Sequence, residues 1–241
     1  MKIYALMENI SHDECLACEH GLSLYIEADG KKILFDTGAS EKFAENAEKM
    51  GVDLKAVDFA AISHGHYDHG GGLAKFIELN DHAPIYISDK GFNQYYSGTD
   101  FNVSIPEGLE GNERFVLTNA PIKLSENITL LNCNDREAKY YADPYGLNKV
   151  VDGEFLPDDF LHEQYLIIEE INMTEDTPDD LCIDKLATAF FGDRGYGATI
   201  LGPMENALRF SRDDIFNYRK KYYVPKNTVI SFAGKVKYEE V

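Results

Sequence analysis

Short apolar runs broken by turn residues open this chain. Ile3–Met7, Ser23–Ile26 and Lys32–Phe35 have the length and composition of strands, and Asp29-Gly30 supplies a hairpin turn between the last two. Ser40 then caps a helix predicted from Glu41 to Met50, which Gly51 ends. Phe59-Ala60-Ala61-Ile62 reads as a buried strand, Leu73–Leu79 as a helix behind a glycine triplet, and Ile85-Tyr86-Ile87 as another strand. Phe115-Val116-Leu117 and Ile128-Thr129-Leu130-Leu131 are further strands. Beyond them, Leu181, Lys185, Leu186 and Phe190 recur at helical spacing behind Pro178, which predicts a helix to Phe191. Ser211 is a good N-cap, with Asp213 and Asp214 in the first turn of a helix through Tyr222. Asn227 to Phe232 is strand-like. The order is that of an α/β chain, without internal repeats or low-complexity tracts.

The candidate chemistry lies in Ser63-His64-Gly65-His66-Tyr67-Asp68-His69-Gly70-Gly71-Gly72, which holds three of the chain's seven histidines. The segment sits between a strand and a helix N-terminus, where open α/β sheets place their ligands. Neutral imidazoles with a carboxylate suit Zn, Fe or Mn, whereas Ca and Mg prefer oxygen alone. In an extended loop His64 and His66 point the same way and can grip one ion. Asp68 and His69, after the chain turns, face a neighbouring position for a second. Two ions roughly 3.5–4 Å apart can clamp a substrate oxygen and lower the pKa of a bridging water. The competing reading is a histidine-rich surface tract. The spacing, the strand before it and the glycines after it agree on a metal site. Residues 88–114, rich in Gly, Asn, Ser, Pro and aromatics, read as an insertion over its mouth. Phe92, Tyr95, Tyr96 and Phe101 either contact a flat substrate there or pack the insertion onto the domain.

This His-x-His-x-Asp-His pattern resembles the signature of the metallo-β-lactamase superfamily. Ile33-Leu34-Phe35-Asp36-Thr37-Gly38 resembles its second motif, which implies that Asp36 lies near the metal loop and supports it. Glu19-His20-Gly21-Leu22-Ser23-Leu24-Tyr25-Ile26-Glu27 and Asp159-Phe160-Leu161-His162-Glu163-Gln164-Tyr165-Leu166 resemble the branch of the dihydropterin–ribofuranosylaminobenzene-phosphate synthases. The resemblance implies an αββα sandwich, with His64, His66, Asp68 and His69 as ligands to one or two divalent transition metal ions, Zn first and Fe or Mn otherwise. It further implies a metal-bound hydroxide that attacks an ester, phosphoester or amide of a small molecule, with Asp68 binding metal and orienting the nucleophile. A complete member of the branch carries further ligand histidines downstream, but no histidine follows His162 here. His20 and His162 are therefore candidates to approach the loop and stand in for a missing ligand, or to serve as structural hydrogen-bond donors to backbone.

The tail resembles a different family. Glu169–Leu181, Ile200-Leu201-Gly202-Pro203-Met204-Glu205-Asn206, Phe210-Ser211-Arg212-Asp213-Asp214, Tyr222–Asn227 and Val229–Val236 are similar to segments of the insulinase/pitrilysin-type zinc peptidases. In that resemblance Glu170 matches a distant ligand glutamate, but the His-x-x-Glu-His helix of those enzymes is absent. The expected architecture is thus a partial metallo-β-lactamase-like αββα domain over 1–168, its second half incomplete, followed by an α+β peptidase-like fragment over 169–241. The two read as parts of two genes joined near Leu166–Glu170. Three functions remain open: a metal-dependent hydrolase, a catalytically weak or vestigial metal-binding fusion, and an accessory fragment of a zinc metallopeptidase.

Composition narrows these little. The chain has 241 residues, of which 44% are hydrophobic and 27% charged, an ordinary globular balance. The net charge of −19 argues against nucleic acid or an anionic membrane as partner. With no secretory signal after Met1 and no run that spans a bilayer, a cytoplasmic protein is expected. Four cysteines, Cys15, Cys18, Cys133 and Cys182, do not make a disulfide framework in that setting. Cys15-x-x-Cys18, flanked by His12 and His20, is open to three readings: a small zinc site, a redox pair or ordinary thiols. His82 reads as a solvated residue at a helix end. The tail's apolar surfaces must pack on the N-terminal part, pair with a second copy or partner chain, or stay exposed.

Overall fold

The structure is a computed structural model that describes residues 1–11, 13–132, 146–169 and, in the tail, 178–192, 195–198, 202 and 204–227. It divides into two compact units, Met1–Glu169 and Glu170–Val241. His12, Cys133, Glu170 and the predicted strand from residue 228 onward lie outside the described residues.

The first unit is built on a six-stranded sheet. Its strands are β1 (Lys2–Met7), β2 (Ser23–Ala28), β3 (Lys31–Phe35), β4 (Phe59–Ala61), β5 (Ile85–Ser88) and, later in the chain, Phe115–Thr118, which takes the outer place beside β5. The first three run antiparallel, and β3, β4, β5 and Phe115–Thr118 are parallel neighbours. Asp29 and Gly30 both have positive φ, 52° and 67°, the backbone that a two-residue turn between Ala28 and Lys31 requires. Helix α1 (Lys42–Lys49) carries the chain from β3 toward β4, and α3 (Leu73–Leu79) carries it from β4 to β5. These helices bury Phe43, Asn46, Ala47, Leu73 and Phe76 in a core with Leu6, Leu34, Ile62, Ile85 and Ile87. Each fully buried large apolar side chain contributes about 1.5–3 kcal/mol relative to exposure. The start of α1 differs from expectation. Its N-cap is Glu41, without a side-chain cap of its own, while Ser40 Oγ accepts from the Lys42 N–H at 3.3 Å and donates to the Glu19 carboxylate.

Two smaller sheets follow. Within residues 88–114 lie β6 (Tyr95–Ser97) and β7 (Phe101–Asn102), after which β8 is the sixth strand of the large sheet, Phe115–Thr118. Strands β9 (Ile122–Lys123), β10 (Ile128–Asn132) and β13 (Gln164–Ile168) form a three-stranded sheet. Between β10 and β13, β11 (Leu147–Val151) and β12 (Glu154–Pro157) pair with each other, and β11 pairs with β6. The β11–β12 turn, Asp152-Gly153, repeats the positive φ values of the first hairpin. Gln164 is one of the ties between the small sheet and the large one. Gln164 donates from its backbone to the Ser63 carbonyl at 2.7 Å and from Nε2 to the carbonyls of Ile62 and Tyr86. Its Oε1 accepts from Thr118 Oγ1 at 2.6 Å. The segment that ends in Gln164 is thereby held at the carboxyl ends of the parallel strands. One face of the small sheet, with Leu131, Tyr165 and Ile167, is exposed.

The second unit contains α4 (Pro178–Phe191), α5 (Met204–Arg209) and α6 (Arg212–Tyr222). Ser211 caps α6 as predicted: its side chain accepts from the Asp214 N–H, and Asp214 returns the bond to the Ser211 backbone. Among the described residues no helix is long and apolar enough to cross a membrane.

Asp29 makes a second link between the layers, accepting from the Ser125 hydroxyl and from Nδ2 of Asn127. The Ser125 hydrogen bond, with Asn127 behind it, outweighs partial burial and holds the Asp29 carboxyl below the usual carboxylate range. A depressed folded pKa stabilises above the unfolded pKa, and that stability is lost as pH falls through the folded value. Asp29→Asn, which tolerates the turn's backbone, is expected to cost about 1 kcal/mol at pH 7. The difference from wild type should close as pH drops below about 4, and thermal unfolding at the two pH values checks it.

Candidate metal centre

Strand β4 ends at Ala61, and the chain runs through Ile62 into Ser63, the first residue of the polar loop. The loop is not irregular throughout: Tyr67–Gly70 forms a single-turn helix, α2, that carries Asp68 and His69. Glycine lets a second loop lie against it. A Cβ on Gly71 would stand 2.2 Å from the Ala39 carbonyl oxygen, and one on Gly72 would stand 2.4 Å from that of Thr37. The two backbones are bonded directly there, Thr37 N to His69 O at 2.7 Å and Gly71 N to Gly38 O at 2.9 Å.

That contact delivers Asp36. The residue is fully buried and holds a left-handed backbone with φ 61°, an uncommon state for any residue but glycine. Its carboxylate accepts from Ser63 N at 2.6 Å, from Ser63 Oγ at 2.7 Å and from His69 Nδ1 at 2.7 Å. The proton positions follow. His69 gives its Nδ1 proton to Asp36, which leaves Nε2 as its lone-pair nitrogen. The single Ser63 hydroxyl proton goes to Asp36, so its oxygen accepts from His64 Nδ1 at 2.9 Å, and His64 likewise keeps Nε2 free. A ring must offer a lone pair to hold a metal, and a carboxylate behind it fixes which nitrogen offers it.

The ring of His64 lies 4.1 Å from that of His69 and 4.7 Å from that of His66. Ligand atoms of His64, Asp68 and His69 all fall within 4.8 Å of one another, and so do those of His66, Asp158 and His162. All four expected ligands are thus brought together, divided between two adjoining groups. His20 reaches the edge of the first group, with Nε2 3.3 Å from Asp68 Oδ2. His162 is buried in the second. Burial first, then the neighbouring rings of His69, His66 and His162, pushes His64 well below the ordinary histidine range, so it is neutral as a ligand must be. For His69 burial acts downward, but the Asp36 hydrogen bond and the charges of Asp36 and Asp68 outweigh it and raise the ring.

Asp158 has no counterpart in the sequence reading. It is buried, and its Oδ2 lies 3.1 Å from His66 Nε2 and 3.2 Å from His162 Nε2. Burial alone would raise its carboxyl, yet the hydrogen bonds from His162 and His66 hold it well below the usual range. The aromatic residues of the insertion mostly pack. Tyr95 is buried and stacks on His162 with centroids 4.1 Å apart, Phe92 meets Phe115, and Tyr96 meets Phe155. Phe101 alone of the four is largely exposed, beside Tyr67. Cys15 and Cys18 are exposed free thiols, and they join no metal-type group among the described residues. His82 pairs with Asp81 in solvent past the end of α3.

Residues 17–167 match the metallo-beta-lactamase superfamily. The chain belongs to that superfamily. It is 30% identical over 186 residues to the 7,8-dihydropterin-6-methyl-4-(beta-D-ribofuranosyl)-aminobenzene-5'-phosphate synthase of Methanocaldococcus jannaschii, a match covering 70% of this chain and 63% of that protein. Less than two thirds of that relative's length is therefore represented. A separate 74-residue match, 40% identical, is to the zinc protease YmxG of Bacillus subtilis, and covers 31% of this chain and 18% of the protease. The crystal structure of Tm1679, a metal-dependent hydrolase of the beta-lactamase superfamily, superposes with a TM-score of 0.60 at 23% identity, over 92% of this chain and 82% of its own. That likeness shows the fold. Superfamily membership suggests a metal-dependent hydrolase, and metallo-beta-lactamase proteins typically hold divalent metals. The donors fit such an ion: imidazole nitrogens with their lone pairs directed by hydrogen bonds, and one carboxylate alongside.

The purified protein is expected to carry a divalent transition metal, and His64→Ala with His66→Ala is expected to remove it. Asp36→Asn, which keeps the backbone but weakens the acceptor, should lower affinity by about 10- to 100-fold. Metal analysis by mass spectrometry that finds equal occupancy in all three would refute the site.

Proposed function

We propose that the first unit is a hydrolase that uses His64, His66, Asp68 and His69 to hold one or two divalent transition metal ions, and acts on an ester, phosphoester or amide of a small molecule. The observation that carries this reading is the Asp36–Ser63 network, which leaves His64 and His69 with Nε2 lone pairs on rings only 4.1 Å apart. When bound, the ion supplies Lewis acidity and a lowered pKa for water. Everything else comes from the chain. Asp36 and Ser63 fix the rings before any ligand arrives, so no reorientation is needed on binding. Asp68 Oδ2 lies between Nε2 of His20 at 3.3 Å and Nε2 of His69 at 3.5 Å, where it would bind metal and orient the nucleophile. The name of the Methanocaldococcus relative supports a phosphorylated small molecule as the class to test first.

A specific observation favours modest turnover. The site's imidazoles all come from residues up to His162, since no histidine follows, and the tail matches zinc proteases over 74 residues. We therefore infer two domains of separate ancestry, 1–168 and 169–241, with the tail as a peptidase-like fragment that lacks the His-x-x-Glu-His motif and in which Glu170 is a vestigial ligand position. Hydrolysis of p-nitrophenyl phosphate and of a lactone should be slow, restored by Zn²⁺ or Mn²⁺ after chelation, and reduced about 100-fold or more by Asp68→Ala. Turnover indifferent both to chelation and to Asp68→Ala would sink the hydrolase reading.

A further inference from the structure

We propose that Asp158 and His162 are positioning residues, which together fix His66 with its proton on Nε2 and its lone pair on Nδ1, and that His162 itself holds no metal. The inference rests on the reading that the loop is a metal site, and it starts from one backbone group. Gly65 N–H points at His162 Nδ1 over 2.7 Å. A backbone amide can only donate, so Nδ1 of His162 is the acceptor and its proton sits on Nε2. That proton faces Asp158 Oδ2 at 3.2 Å. If Nε2 ligated an ion instead, with Nδ1 still accepting from Gly65, the ring would have no proton on either nitrogen. The grouping of His66, Asp158 and His162 within 4.8 Å is therefore a hydrogen-bonded cluster.

Asp158 completes the chain of bonds. Its Oδ1 accepts from Phe160 N at 2.9 Å, which fixes the carboxylate plane and presents Oδ2 to both rings. Since Oδ2 can only accept, His66 Nε2, 3.1 Å away, is a donor as well. Among the described residues no side chain or backbone group bonds His66 Nδ1, so the lone pair is left there. Two aromatic rings stack on His162. Tyr95 lies on His162 at 4.1 Å and 20°, and Phe160 at 5.6 Å and 17°. Phe160 holds a positive φ of 52° to do so, a strained state for a bulky residue that persists only where its surroundings hold it. The site thus has two carboxylate supports with opposite outcomes. Asp36 accepts a hydrogen bond from Nδ1–H of His69, and Asp158 accepts one from Nε2–H of His66.

The test is long-range proton–nitrogen NMR on the full chain labelled with ¹⁵N-histidine and freed of metal, followed by titration with Co²⁺. In wild type both His66 and His162 should be protonated on Nε2. In Asp158→Asn, whose amide can turn a donor toward the rings, His66 should move toward the Nδ1-protonated form. Co²⁺ affinity should then fall about 10- to 100-fold with unchanged stoichiometry. A proton on Nδ1 of either ring in wild type overturns the proposal. So does an Asp158→Asn variant that keeps the wild-type tautomers while losing an equivalent of cobalt, since Asp158 would then be a ligand. If the variant does not fold, the wild-type spectrum alone decides. If wild type takes up no cobalt, the metal reading fails, and the tautomers still decide where the protons are.

Discussion

The buried carboxylate of Asp36 is the constraint on which the candidate metal centre depends. It sits where β3 ends, and it accepts three hydrogen bonds from the loop that follows β4: two from Ser63 and one from His69. A buried carboxylate without donors would cost several kcal/mol, so the loop cannot move away from Asp36 without exposing that cost. The arrangement therefore stabilises the fold and orients the candidate ligands by the same bonds. The left-handed backbone at Asp36, itself unfavourable, persists because these contacts over-determine it.

A second constraint is topological. Parallel strands β3, β4 and β5 end on one edge of the sheet, and the segments that leave them carry Asp36, the Ser63–Gly72 loop and the insertion. Gln164 then draws a distant piece of chain to that edge by bonding the carbonyls of Ile62, Ser63 and Tyr86. Asp158 and His162 arrive with it. A single glutamine thus couples the three-stranded sheet to the site, and the supports of His66 come from residues almost a hundred positions away.

The exposed face with Leu131, Tyr165 and Ile167 bears on the character of the unit. Where a sandwich is complete, an outer layer of helices removes such a face from water. The match to the Methanocaldococcus relative covers 63% of that protein, and a separate 74-residue match is to a zinc protease. The large sheet with its two helices keeps a full core, while the small sheet has one buried face. The candidate metal loop leaves a strand of the well-packed large sheet.

What the sequence determined by itself was whatever is encoded locally. Strands with regular apolar content, the Asp29-Gly30 turn, the glycine triplet before α3 and the Ser211 cap were all legible, because turn chemistry and capping act within a few residues. The candidate ligands His64, His66, Asp68 and His69 could be named from the sequence because they fall within six residues. Asp152-Gly153 carries the same turn residues as Asp29-Gly30, but its flanking strands lack the alternation that would mark them as a hairpin. Asp158 could not be found this way. Its meaning lies in bonds to His66 and His162, and only the first of these is far along the chain, yet neither is implied by spacing. The tertiary structure alone decided which nitrogen of each ring keeps its proton. That choice depends on donors and acceptors brought together across the sheet edge, and no periodicity records it.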